Sequence, residues 1–350
     1  MKDRLKLPVD SPIVASNTEH GYLLSGIQTN KEATRWIMAN YINQVCYITR
    51  TGLDMNFYPL MNHSLCPCID YQRISKTLIS SKWEDLLEFL FDCINSSYYI
   101  MIYLDWFYIP TSRVYGERHL NHPTLVYGYD HTERIFNVAD FNKNFKFSFT
   151  ELSYDIIKKA IVSQTEKMPF MNERYFGSED AILYKNREDY LFDIDKSILK
   201  QKFEYYLYSE NLSELYNQQD IFYFKNSNAI FGIDSLTKIC DYLLNKLEYD
   251  NINYKLFTVP KERTELMLKR LDYLNNIFEK DALVTLNEKF LNIFNQYKYI
   301  LNLSIKFNIY NDNGNGRKDN EIINNIVDRI EQVKDVEKDT FSLLINSMRF

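Results

Sequence analysis

The chain has 350 residues, 45% of them apolar and 25% charged, and carries a net charge of −6 at pH 7. That length and apolar share can fill one large core or two moderate ones, and the acidic balance argues against a protein that attracts nucleic acid through clustered Lys and Arg. The opening MKDRLKLPVD lacks the apolar run of a signal peptide, and no stretch approaches the roughly 18 uninterrupted apolar residues of a membrane span.

Five cysteines without paired spacing suit a reducing compartment better than a disulfide framework. The expectation is therefore a cytoplasmic protein with neither a nucleic-acid nor a membrane partner. The 28 Tyr and 23 Phe could line a pocket for an aromatic acyl group, or reflect a coding bias that also favours Asn, Lys and Ile.

In chain order, a first helix is predicted near residues 21–30, followed by YINQVCYIT, whose alternation reads as a strand with Cys46 buried. Cys66 and Cys68 flank Pro67, and His63 completes an H-x-x-C-x-C cluster. Structural zinc takes four ligands and a fourth is missing here, so no metal is expected. WEDLLEFLFDCINS repeats its apolar positions at three and four, a helix with Cys93 on its apolar side; the strands YYIMIYLDWFYI, TLVYGYD, RIFNVADF and KFSFTEL follow.

The pattern changes after MPFMNERYFGSEDA, where Glu179 and Asp180 after Gly177 read as capping residues. SILKQKFEYYLYSENLSELYN, SLTKICDYLLNKLEY with Cys240, ERTELMLKRLDYLNNIFEKD and DALVTLNEKFLNIFNQYKYILNLSIKF all read as amphipathic helices. DIFYFKNSNAIFGID interrupts them as a strand or loop. In VPKERTELMLKRLDYL the Lys and Arg are spread around the helix, which predicts a solvated face; docking of an acidic carrier protein is the alternative. NDNGNGRKDNEI mimics a calcium loop at Asn311, Asn313, Asn315 and Gly316, but Ile322 stands where a bidentate Glu is needed, so an exposed turn before a last helix is expected. The sum is an α+β chain: residues 1–165 with an early helix and an antiparallel sheet, then a mainly α-helical domain over 166–350.

The most informative segment is HPTLVYGYDHTERIFNVAD, two β-prone runs about the polar turn Asp130-His131-Thr132-Glu133. Antiparallel folding about that turn places opposite one another residues whose numbers sum to about 263, bringing Asp140 within about one position of His122. An imidazole beside a carboxylate is held in one tautomer and serves as a general base. A structural His–Asp hydrogen bond at the rim of a hairpin is the competing reading.

HLNHPTLVYGYDHTERIFNVADF, preceded by YYIMIYLDWFYIP, resembles the core of the butirosin-biosynthesis-protein-H-like family. These are cysteine-peptidase-fold proteins associated with nonribosomal peptide and other thiotemplated pathways, including closthioamide-type amide formation. SPIVASNTEHGYLLSGIQTN with RWIMANYINQVCYI is similar to the family's nucleophile-bearing segment, and GIDSLTKICDYLLNKL with INYKLFTVPKERTELMLKRLDYL resembles its helical half. The likeness covers about residues 8–280.

It implies a papain-like cysteine-peptidase domain at 1–165 and an acyltransferase that moves an acyl group from an acyl or peptidyl carrier protein to a small-molecule amine. The acyl group would arrive on a phosphopantetheine arm, with no bound cofactor. The implied triad is a nucleophile just before the first helix, His122 as base and Asp140 as orienter. Ala15 and Asn17, beside the nucleophile position, are candidates to line the substrate; His119, three residues before the base, and Asp105 in YLDWFYIP are candidates too, with a structural role as the favoured alternative for each.

The stretch before the first helix holds no cysteine; Ser16 occupies the nucleophile position, with Ala15 beside it. A serine would depend on His122 far more than a thiol does. Three readings stand: a serine nucleophile, a serine replacing a parental cysteine, and a non-catalytic binding or scaffold protein that keeps the fold.

Overall fold

The computed structural model describes residues 2–49, 51–58, 65–144, 146–162, 180–212, 228–245, 251–312 and 320–349. It divides into two compact units, Met1–Thr34 with Asn62–Phe192 and Arg35–Met61 with Asp193–Phe350. A single cut at residue 165 differs from this because pairing partners are distant in sequence. Strand β2 (Asn43–Thr49) pairs with β3 (Gly52–Tyr58) and also with Ile230–Phe231, while Asp180–Asn186 belongs to the sheet of the first unit.

The first unit begins with β1 (Arg4–Lys6) and α1 (Thr18–Ile27), whose N-cap Asn17 accepts a hydrogen bond from the Thr18 N–H at 2.8 Å. The boundary between the units falls inside α2 (Lys31–Ala39). Next come β4 (Ile69–Ser75), α3 (Lys76–Lys82), α4 (Leu86–Asn95), β5 (Tyr99–Asp105), β6 (Asn121–Asp130), β7 (Ile135–Phe141), β8 (Phe147–Ser153), α5 (Tyr154–Val162) and β9 (Asp180–Asn186). The antiparallel sheet runs β4-β9-β5-β6-β7-β8, with β1 added to β6.

Successive strand residues face opposite sides, and both sides are covered. Phe136 and Tyr129 pack on Phe91 of α4, while Phe141 and Phe147 lie against Gly21 of α1. Gly26 admits the Tyr184 ring: an added Cβ would come within 2.6 Å of the hydroxyl that donates to Tyr22 O.

The second unit contains β10 (Ile230–Phe231) in the sheet β10-β2-β3, with the helices α6 (Lys196–Leu207), α7 (Ser235–Asn245), α8 (Lys255–Tyr273), α9 (Lys280–Asp312) and α10 (Asn320–Asn346). The chain is thus α+β, with antiparallel sheets and a helical C-terminal region.

One expectation fails in α8. Arg263 and Arg270 are completely buried, not solvated. Arg263 donates to Glu337 at 2.6 Å and to Gln44 at 3.2 Å, with its guanidinium over the Tyr206 ring, and Tyr206 also bonds Glu337. Arg270 donates to Met38 O and Asn40 O at 2.6 Å, satisfying carbonyls that the end of α2 leaves open. A helix covered on several sides buries whatever lies there, and paired guanidinium is the form in which Arg tolerates it.

Among the described residues no helix is long and apolar enough to cross a membrane. Glu179, Gly177, His63, Asn313, Asn315 and Gly316 lie outside the described residues.

Candidate active site

The β6–β7 hairpin forms where its sequence predicts. Asp130 Oδ1 accepts from the Thr132 and Glu133 N–H groups at 2.8 and 3.1 Å, an Asx turn that closes the loop. The register differs by one residue from the expected one. Beside the turn Asp130 pairs with Ile135 and Gly128 with Asn137, and a bulge between Val126 and Gly128 brings the partners back by one to Val126↔Val138 and Leu125↔Ala139, so Asp140 comes opposite Thr124 and His122 is its diagonal neighbour.

The pair survives this shift. His122 Nδ1 lies 3.6 Å from Asp140 Oδ1, and both side chains are buried. At that distance the contact is an ion-pair approach and not a hydrogen bond. The 2.8 Å contact of Nδ1 is with the Pro123 carbonyl, which holds the neutral ring as the Nδ1–H tautomer and leaves Nε2 with its lone pair. Trp106 lies against the imidazole, ring centroids 3.7 Å apart.

Asp140 is a hub. Its Oδ1 accepts from the Tyr22 hydroxyl at 2.6 Å and the Phe141 N–H at 2.7 Å; its Oδ2 accepts from Thr124 Oγ1 at 2.5 Å and Trp106 Nε1 at 3.0 Å. Burial raises its pKa to about 7 even though all four hydrogen bonds pull it down. Burial, and next the Asp140 charge, push the Tyr22 phenol well above its ordinary value, so it stays a donor.

Tyr22 sits on α1, and its hydroxyl also reaches Pro123 O at 2.5 Å. It therefore fastens to the His122–Asp140 strands the helix that follows Ser16. Ser16 is buried just before the N-cap and Ala15 is half-buried. Asn17 caps α1, its Oδ1 accepting from the Thr18 N–H.

The other two expected residues form a pair of their own. His119 Nδ1 is 2.6 Å from Asp105 Oδ2, and Asp105 Oδ1 accepts from the Phe107 and Leu120 N–H groups at 3.1 and 3.2 Å.

Sequence reasoning missed the ring of donors around Asp140. Thr124 was findable, since a residue two positions after His122 shares its strand face. Tyr22 and Trp106 come from separate elements, and nothing in their local sequence points to a carboxylate 118 and 34 residues away.

All five cysteines are free and buried. Cys46, Cys93 and Cys240 thiols are pushed up by burial, those of Cys93 and Cys240 to about 12, which makes them poor nucleophiles. Among the described residues no three His, Cys, Asp or Glu side chains are grouped to hold a metal ion. Compared with known proteins, the chain matches no family model and no curated protein.

Proposed function

We propose that the first unit is a papain-like acyltransferase that moves an acyl group from a carrier-protein thioester to a small amine. The observation that carries this reading is the imidazole of His122. It is buried against Trp106, tautomerically fixed through Pro123 O, 3.6 Å from a carboxylate, and tied through Tyr22 to the helix that begins one residue after Asn17.

In the proposed reaction His122 Nε2 takes the proton of Ser16 Oγ as that oxygen attacks the thioester carbon. The C–S bond breaks and the same proton passes to the departing thiolate of the phosphopantetheine arm. An amine then attacks the Ser16 ester, an amide C–N bond forms, and the C–O bond to Ser16 breaks. The ionised Asp140 stabilises the imidazolium in both halves.

A second reading is a non-catalytic scaffold of such a pathway, and the saturation of Asp140 favours it: four donors already occupy the carboxylate, and none is His122 within hydrogen-bond range. The two separate in one assay. The chain, its Ser16→Cys form and His122→Ala are given acyl-N-acetylcysteamine thioesters with benzylamine, and free thiol and amide are quantified. The enzyme reading expects amide in step with thiol, larger in Ser16→Cys and absent in His122→Ala; no amide from either active form leaves the scaffold reading.

A further inference from the structure

We propose that the outward face of α9 is a docking surface for a second copy of this chain, the two helices lying antiparallel about a two-fold axis near the middle of the helix. This stands apart from the acyl-transfer reading. α9 (Lys280–Asp312) buries Leu286, Phe290, Ile293, Tyr297, Ile300 and Phe307, and an amphipathic helix ordinarily leaves its opposite side to polar residues. Here that side carries an apolar set: Val284 is 62% exposed, Leu291 51%, Ile305 37% and Ile309 54%.

Val284, Leu291 and Ile305 are spaced by multiples of seven, and Ile309 lies one turn beyond Ile305, so all four fall in one stripe along the helix. Single apolar residues on a surface are ordinary; a stripe of them along one element marks a contact face.

The order of residues along the stripe identifies what covers it. Val284 and Leu291 stand toward one end and Ile305 and Ile309 toward the other, with Asn295, Lys298 and Asn302 between them. Reversed end to end, the pattern repeats. In an antiparallel pair centred near residue 297, residues whose numbers sum to about 594 lie level, at a rise of about 1.5 Å per residue. Val284 then meets the second copy's Ile309, and Leu291 packs beside the second copy's Ile305. The two-fold axis makes the same cluster again at the other end, a self-complementary contact of the kind that closes a dimer.

The charges obey the same reversal. Glu288 and Lys306 are both exposed, and the antiparallel register sets Glu288 level with the second copy's Lys306, and Lys306 with the second copy's Glu288. A parallel pair about a two-fold axis would set each against its own kind, so charge selects the antiparallel arrangement. Lys298 meets its own copy in either orientation and reaches solvent along its stem. The central asparagines fix the register at some cost in affinity.

The test is sedimentation velocity on the full chain from about 1 to 300 µM, with circular dichroism checking that each variant is folded. The expected result is a species of twice the 41.9 kDa chain mass that grows with concentration. Leu291→Glu, and independently Ile309→Glu, should each weaken association by about 100-fold, because every substitution enters the interface twice. Glu288→Lys should weaken it by about 10-fold, and adding Lys306→Glu should restore it by reversing the pair. A monomer at every concentration, a dimer indifferent to both apolar substitutions, or a charge reversal that fails to restore association overturns the proposal.

Discussion

Each unit buries a carboxylate, and the two environments are opposite in kind. In the second unit Glu337 meets the Arg263 guanidinium at 2.6 Å, with Tyr206 as a further donor. In the first, Asp140 has four neutral donors, and His122, which can become cationic, stands 3.6 Å away. Burial lowers the Arg263 pKa, but the charge of Glu337 and its hydrogen bond prevail and raise it, so that charge is permanent. The Asp140 proton is held to about pH 7. A fixed charge pair specifies packing; a group whose ionisation falls near neutrality, beside a second titratable group, can take part in proton transfer. The same inventory of buried polar atoms therefore reads as a structural lock in one unit and as a candidate site in the other.

The largest effect that would break this comparison is on activity. His122→Ala should reduce acyl transfer by about 10³-fold or more with the melting temperature little changed, as judged from amide yield and a thermal scan run in parallel. If unfolding instead tracks the loss, His122 is structural too.

Next in size, Arg263→Met should destabilise the chain by about 3–5 kcal/mol in urea denaturation, because it leaves Glu337 buried and uncompensated. Arg263→Met with Glu337→Leu should recover most of that, since replacing both partners removes the stranded charge.

A third experiment sharpens the contrast through pH. The folded pKa of Asp140 is about 7, above the value of 3.8 for the free side chain. The folded state therefore holds this proton more tightly, and the contribution to stability, full below pH 4, is lost as pH rises through about 7. Asp140→Asn should flatten the difference in stability between pH 5 and pH 8, measured against the parent by urea titration; parallel curves would mean that Asp140 is ionised throughout.

The smallest effect is expected for Tyr22→Phe, which removes one of four donors. It should cost about 1–2 kcal/mol, read from the urea midpoint, and raise the apparent pKa of Asp140 further, because that hydrogen bond favours the charged form.

Much of this molecule is legible in its sequence because the signals are local. The β6–β7 hairpin follows from β-prone runs about Asp130, and the long helices follow from apolar periodicity. What escaped depends on distant partners. The pairing beside the turn, Asp130 with Ile135, sets a register that the bulge at Tyr127 only partly brings back, so Thr124 comes opposite Asp140 and His122 lies diagonal to it. Arg263 and Arg270 read as solvated because a charge pattern on one helix carries no word of Glu337, 74 residues on, or of carbonyls more than 200 residues back. Likewise β2 and β3 joined the second unit through β10, nearly two hundred residues later, a pairing no local pattern announces. His122 and Asp140 were found because a hairpin makes them neighbours; their donors Tyr22 and Trp106 were not, since each arrives from its own element.

The most direct measurement is peptide mapping by mass spectrometry after exposure to benzoyl-N-acetylcysteamine across pH 5 to 9, on the chain, Ser16→Cys and His122→Ala. The account predicts an acyl group on residue 16, formed faster as pH rises through about 7 with the ionisation of Asp140, and missing in His122→Ala. An unlabelled residue 16 in both active forms, or label there that persists undiminished without His122, would contradict it.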